Sequence, residues 1–397
     1  MNARIHPERS ITPEARGEED FSLPGWIYWD LEFFELEKQS IFKKAWHLVC
    51  HLNDVPGTGD YQTFDFLGES ILTVRGDDGR VRSFHNVCRH RASRLVDGTH
   101  GNCGRRITCP YHAWTYATDG RLVGVPMRSN YPGLEPARYG LAPLEQEIWH
   151  GFIFVRFAPG LPSVQDQMAP YAEEMTGYRF EEFKPMGKVR LRSRAVNWKN
   201  VSDNYSDGLH IPVAHPGLTR LFGKSYGIDA KEWVDKMFGT IEDAPSPRLS
   251  ERMYQRLIKE MEPADAPAPM WNYYKLWPNV AFELYPDQID FMQFVPVSPT
   301  ETILREIAYA LPDDRREMRA ARYLNWRINR RVNLEDKALI ERVQAGMASS
   351  SYTVGPLGEG ELCLRSFGRR MRALFPECRQ PEPPAKGWSV NRNTRPR

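Results

Sequence analysis

From residue 46 onward the chain is written in short apolar runs broken by turn residues. Segments 46–50, 61–66, 70–74 and 81–84 each read as β-strands. Gly76-Asp77-Asp78-Gly79 reads as the hairpin turn between two of them. Segment 149–157 closes this texture, so residues 46–158 are expected to form a small all-β domain. Ahead of it, residues 1–45 read as an arm and a helix. The arm (1–25) is loose, and 33–45 sets Phe34, Ile41 and Phe42 on one helical face. Residues 158–162 read as a linker.

The second half, 159–378, mixes both textures. Segment 189–198 is strand-like, 226–259 reads as helix and loop, and 262–269 is a Pro/Ala-rich break. Segments 277–297 and 303–310 read as strands, and 313–347 as a charged helix. Past Phe375 the Pro and Arg content predicts poor order, with 379–397 as a tail. The fold class is α+β, a β-domain followed by a mixed domain, without internal repeats.

Composition narrows the function classes. The chain has 397 residues, 41% of them hydrophobic and 26% charged, with a net charge of +2. A charge so near balance gives no nucleic-acid footprint. No apolar run reaches membrane-spanning length, and residues 1–17 lack the apolar stretch of a signal peptide. Six cysteines in so long a chain are not a disulfide framework, so a cytoplasmic location is expected.

The chemistry lies in two half-sites. Cys88-Arg89-His90 reads C-x-H, and Cys109-Pro110-Tyr111-His112 reads C-x-x-H. Two thiolates and two imidazoles in matched pairs are the ligand set of a Rieske [2Fe–2S] cluster, cysteines on one iron and histidines on the other. Cys₂His₂ also suits tetrahedral zinc, which is the alternative. Zinc fingers pair Cys with Cys and His with His, whereas each half-site here mixes them.

His210 and His215, five apart with Pro212 between them, form a second candidate site. Two histidines and a distant carboxylate make the facial triad of non-haem Fe(II) enzymes. Asp336 is the candidate carboxylate, with its neighbour Glu335 the competitor. On a helix only one of the two can face the metal. A histidine pair alone is more often structural; beside a one-electron carrier it becomes a destination for electrons.

These motifs, with Trp198-Lys199 and Asp203-Asn204-Tyr205, resemble those of the catalytic α subunit of Rieske non-haem iron ring-hydroxylating oxygenases, over residues 40–375. The resemblance implies a Rieske β-sandwich and a helix-grip catalytic domain with an antiparallel sheet. It implies a [2Fe–2S] cluster on Cys88, His90, Cys109 and His112, and mononuclear iron on His210, His215 and Asp336. It implies homotrimers in which Asp207 bridges a cluster to the neighbouring iron, and a separate NAD(P)H-dependent reductase, with or without a ferredoxin. Asp203, Asn204 and Asn200 are candidates for supporting the iron ligands or for surface positions. Leu209 stands where many relatives carry Tyr.

O₂ and a small organic substrate complete the reaction. Hydroxylation of an aromatic compound is the expected outcome, on family prevalence. The alternative is demethylation of a betaine or other quaternary ammonium compound, or of an aryl methyl ether. Trp271, Tyr273, Tyr274 and Trp277 could then cage a cation, or be core. Phe282, Leu284 and Phe291 are pocket walls or core. His85 and the pair His47 and His51 are read as structural, since i, i+4 does not converge on a strand. Arg89, Arg91 and Arg94 are a docking patch or a solvated rim. Two other classes remain: a non-catalytic electron carrier, and a zinc-stabilised binding protein.

Overall fold

A computed structural model describes residues 17–261 and 268–390. Most of the Pro/Ala-rich break therefore lies outside the described residues. Helix α1 (Leu31–Glu37) starts where the Asp30 side chain accepts the Phe33 N–H, and it runs on into a single wider turn, Lys38–Phe42. Phe33, Phe34, Leu36, Ile41 and Phe42 are buried.

Ten short strands follow: β1 (His47–His51), β2 (Asp60–Phe66), β3 (Glu69–Arg75), β4 (Val81–His85), β5 (His100–Asn102), β6 (Arg106–Thr108), β7 (Thr115–Ala117), β8 (Leu122–Gly124), β9 (Glu145–Trp149) and β10 (Phe152–Arg156). They form antiparallel sheets in the orders β4-β3-β2-β5, β6-β7-β8 and β1-β10-β9. Gly79 N–H bonds Gly76 C=O to close the β3–β4 hairpin at the expected turn. Leu72, Val74 and Phe84 pack with Ile107, Tyr116 and Leu122 into one core that also holds Cys88 and Cys109. His47 and His51 lie in β1, fully buried, and burial lowers both imidazoles to about 4, so they are uncharged.

The second half contributes α2 (Val164–Met168), β11 (Lys184–Pro185), β12 (Arg190–Arg194), α3 (Trp198–Ser206), α4 (Ile211–Ala214), α5 (Pro216–Phe222), β13 (Gly227–Ala230), β14 (Val234–Thr240), α6 (Leu249–Met261), β15 (Met270–Leu276), β16 (Val280–Leu284), β17 (Ile289–Ser298), β18 (Glu301–Ala310), α7 (Arg316–Met347) and α8 (Leu362–Leu374). One antiparallel sheet runs β11-β18-β17-β16-β15-β14-β13, with β12 also paired to β18. Helix α3 packs between this sheet and α7.

Four expectations change. Segment 226–259 opens with β13 and β14 rather than helix and loop. Its charged residues broke the apolar alternation, yet Asp235 is buried 3.3 Å from Lys275 on the paired strand β15. Strand structure begins at Met270, not residue 277, because Trp277-Pro278 supplies the turn to β16. The arm is not loose throughout: Leu23, Trp26, Ile27 and Tyr28 share a core with Phe367, Met371 and Phe375. The tail is pinned as far as Ser389, since Trp388 packs edge-on to Trp26 and Glu32 accepts the Gly387 and Ser389 N–H groups. A single large aromatic outweighs the Pro and Arg composition there.

Candidate active site

The two cysteine loops are copies of one another in backbone. Cys88 N–H bonds Ser93 C=O and Ala92 N–H returns to Cys88 C=O; Cys109 N–H bonds Trp114 C=O and Ala113 N–H returns to Cys109 C=O. Ala92 and Ala113 both sit at positive φ, 58° and 53°, strained positions for alanine that close each loop. The cysteines are buried, while His90 and His112 are half-exposed with ring centroids 4.6 Å apart. His90 stacks on Trp114 at 4.7 Å, and its Nδ1 is buried without a hydrogen-bond partner among the described residues. Burial raises the Cys109 thiol, but the N–H groups of Tyr111 and His112 outweigh it and hold the thiol below its ordinary value. Among the described residues these four side chains do not gather three donor atoms within 4.8 Å, as one zinc ion requires. A two-iron cluster between the loops fits this donor set and the orphaned nitrogen.

Sequence reasoning missed Tyr116. Its hydroxyl lies 3.2 Å from Cys88 Sγ and accepts the Arg89 N–H at 3.0 Å. A hydroxyl donated to a cluster sulfur favours the reduced state. Tyr116→Phe is therefore expected to lower the midpoint potential in redox titration while leaving the cluster content intact. An unchanged potential would remove this role.

The second site is built where the helical run breaks between α3, α4 and α5. Asn197 caps α3, which ends at Asp207. Pro212 sits in the first turn of α4, where a missing N–H costs nothing. The interruption comes instead at His215, which Pro216 holds at φ −117°, ψ 73°. His210 Nε2 and His215 Nε2 are thereby 3.2 Å apart. Asp336 Oδ1 lies 2.9 Å from His215 Nε2 and 3.5 Å from His210 Nε2. The three donor atoms lie within 4.8 Å of one another.

Each imidazole is turned by a carboxylate on its far nitrogen. Asp207 Oδ2 is 3.0 Å from His210 Nδ1, and Glu335 Oε2 is 3.0 Å from His215 Nδ1. Glu335 thus faces the back of a histidine and also pairs with Arg331 at 2.7 Å. Burial lowers His210, but Asp207 and Asp336 outweigh it and lift the imidazole to about 9. Burial likewise raises Asp336, yet the two histidines hold it at about 2. So much negative charge around two imidazoles suits a divalent cation.

Asn204 Nδ2 reaches His210 Nε2 at 3.3 Å, so it borders the site. Asp203 instead accepts the Tyr28 hydroxyl at 2.6 Å and is half-buried, while Asn200 is buried and donates to Gln344 at 2.8 Å. Leu209 is exposed and does not line the cavity beside the metal ligands. Arg89, Arg91 and Arg94 are exposed around the cysteine loops, Arg94 pairing with Asp65. His85 pairs with Glu69.

A cavity opens on His210, His215 and Asp336. Its walls include Tyr205, Tyr226, Tyr273, Glu283, Met292 and Leu304. Of the four aromatic cage candidates only Tyr273 lines it. Trp271 lies further along the same strand face, its indole on the Tyr254 hydroxyl; Tyr274 points to the opposite face and bonds Glu174; Trp277 packs on Phe367. Phe282, Leu284 and Phe291 are buried in the core, and Phe291 also lines a second cavity. Tyr205, Tyr226 and Glu283 come from three separate elements, so no spacing in the sequence groups them.

Known proteins share this architecture. The Rieske [2Fe-2S] domain family matches residues 45–139, and the ring hydroxylating alpha subunit (catalytic domain) family matches 180–377. The carnitine monooxygenase oxygenase subunit of Escherichia coli (strain K12) is 30% identical over 369 residues, 90% of this chain and 92% of that protein. The glycine betaine monooxygenase oxygenase subunit of Pseudomonas aeruginosa is 35% identical over 220 residues, 54% of this chain and 50% of that protein. The crystal structure of a quaternary ammonium Rieske monooxygenase bound to an inhibitor superposes with a TM-score of 0.77 at 25% identity, covering 90% of this chain and 96% of that one. With a cluster domain and an iron domain joined in one chain, this protein belongs to the Rieske non-haem iron oxygenases, as their catalytic α subunit.

Proposed function

We propose that this oxygenase acts on a quaternary ammonium compound, hydroxylating a carbon bonded to the nitrogen. The observation that carries the reading is the cavity wall: three tyrosines and one buried glutamate beside the metal ligands. Tyrosine faces attract a cation, most strongly when water is excluded. An arene would gain nothing from Glu283. Relatives named for carnitine and glycine betaine agree with this, and the expectation of an aromatic hydrocarbon substrate gives way to it.

Cys88, Cys109, His90 and His112 hold the cluster in this reading, and His210, His215 and Asp336 hold the mononuclear iron. When bound, the two centres supply electron storage and O₂ activation. The protein residues position everything else. Asp207 and Glu335 aim both Nε2 atoms at one point, and the tyrosines hold the ammonium group against that point. The balance is one C–H bond, O₂, two electrons and two protons giving C–OH and water. The new hydroxyl then loses its proton to water as the C–N bond breaks, releasing the neutral amine and an aldehyde. Electrons come from NAD(P)H through a separate reductase. The homotrimer sets Asp207 against a cluster histidine of the neighbouring protomer, and the protein works in the cytoplasm. No helix among the described residues is long and apolar enough to cross a membrane.

Glycine betaine, carnitine, choline and naphthalene, each offered with NADH and a surrogate reductase, test the reading. Aldehyde and amine release from a quaternary ammonium compound, with O₂ consumed in step, is the expected result. Turnover of naphthalene alone would overturn it.

Glu283 adds a pH signature. Burial lifts its carboxyl to about 7, so it is largely neutral at pH 6 and ionised at pH 8. A cation binds the ionised form, so KM for a quaternary ammonium substrate is expected to fall between pH 6 and 8. Glu283→Gln should raise KM at pH 8 and flatten that profile. A steep profile in the variant would assign it to another group.

A further inference from the structure

Resting on the quaternary ammonium reading, we infer that the substrate carries a carboxylate at its other end and that Arg194 receives it. Strand β12 reads Arg190-Leu191-Arg192-Ser193-Arg194, and its period of two puts all three guanidinium groups on one face. They run from outside to inside. Arg190 is exposed, the Arg192 side chain is 30% exposed and Arg194 is 8% exposed. Arg190 and Arg192 line an outer cavity, while Arg194 lines the inner one with the metal ligands. The two cavities adjoin, sharing Glu283, Met292, Asn329 and Asn333 as walls.

The innermost arginine is the buried one without an ion-pair partner among the described residues; Arg190 also lacks one but is exposed to water. Arg192 pairs with Glu306 at 3.1 Å. Arg194 donates only to the neighbouring Ser193 C=O, and no carboxylate among the described residues comes within ion-pair distance. Guanidinium stays charged in proteins even when burial disfavours it. A buried, unpaired charge is costly unless something pairs with it. A planar fork facing a cavity is suited to a carboxylate held by two parallel hydrogen bonds. Tyrosines and Glu283 for the cation, with Arg194 for the anion, describe a zwitterion, and the outer arginines draw its anionic end inward.

The test compares glycine betaine with choline, which keeps the trimethylammonium group and replaces the carboxylate by an alcohol. Binding to the oxidised holoenzyme is measured by calorimetry, alongside KM and kcat in the reductase-coupled assay, for wild type, Arg194→Gln and Arg194→Lys. Wild type is expected to prefer the carboxylated compound. Arg194→Gln should cut that preference about thirtyfold, the weight of one charged hydrogen-bonded pair. Arg194→Lys should restore part of it. Cluster absorbance identifies any variant that fails to fold, and the wild-type comparison then decides alone. Equal binding of betaine and choline by wild type, or an unchanged preference in Arg194→Gln, would overturn the carboxylate assignment. Failure of glycine betaine, choline and carnitine alike to bind wild type would instead overturn the quaternary ammonium reading.

Discussion

Asp336→Ala is expected to abolish turnover and remove one iron per chain while the visible absorption of the cluster stays as in wild type. Among the described residues Asp336 is the one carboxylate whose oxygen faces both Nε2 atoms, at 2.9 Å and 3.5 Å. Without it two neutral ligands remain, and two imidazoles hold a ferrous ion weakly. The cysteine loops belong to another domain and do not contact this residue. Glu335→Ala removes only the carboxylate behind His215, so it should retain iron with affinity weakened about 10- to 100-fold. Metal analysis of both variants separates the roles. Loss of the mononuclear iron from Glu335→Ala, with Asp336→Ala still loaded, would exchange the two assignments.

Asp207→Asn should keep both centres and lose turnover, by about 100-fold or more. Its carboxylate accepts the Leu209 N–H at 2.7 Å with one oxygen and faces His210 Nδ1 at 3.0 Å with the other. About a fifth of the side chain remains exposed, at 22%. The residue therefore both holds a candidate iron ligand and reaches the surface. An amide keeps the shape but gives up the charge and turns one acceptor into a donor. The check is iron content, cluster spectrum and steady-state rate on the same preparation. Full activity in this variant would remove Asp207 from the electron path.

The candidate metal ligands were legible because their chemistry is carried by local spacing. Each cysteine half-site is one loop, and His210 and His215 share one turn. Asp336 lies more than a hundred residues away, and the residues alone left it level with Glu335; helix geometry separates them, setting Glu335 at Nδ1 of His215 and Asp336 at Nε2. Tyr116 was hidden because its contact with Cys88 spans two loops. Tyr205, Tyr226 and Glu283 meet only once α3 and the large sheet have packed, so no window of sequence contains them. Arg190, Arg192 and Arg194 did carry a signal: charge repeating every second residue along a strand. The burial gradient that gives the repeat its meaning appears only in three dimensions. In the fold, β13 and β14 were missed because buried ion pairs replace the apolar alternation that marks a strand.

In the proposed reaction, electrons held between Cys88, His90, Cys109 and His112 are spent where His210, His215 and Asp336 meet the substrate. Stopped-flow oxidation tests it with no reductase present. Protein reduced beforehand and freed of reductant is mixed with O₂ and glycine betaine, and the cluster absorbance is followed while product is trapped. The cluster is expected to reoxidise as aldehyde forms, and Asp207→Asn to stay reduced over the same interval. Equal reoxidation rates in the two proteins, or product formed while the cluster remains reduced, would contradict the proposal.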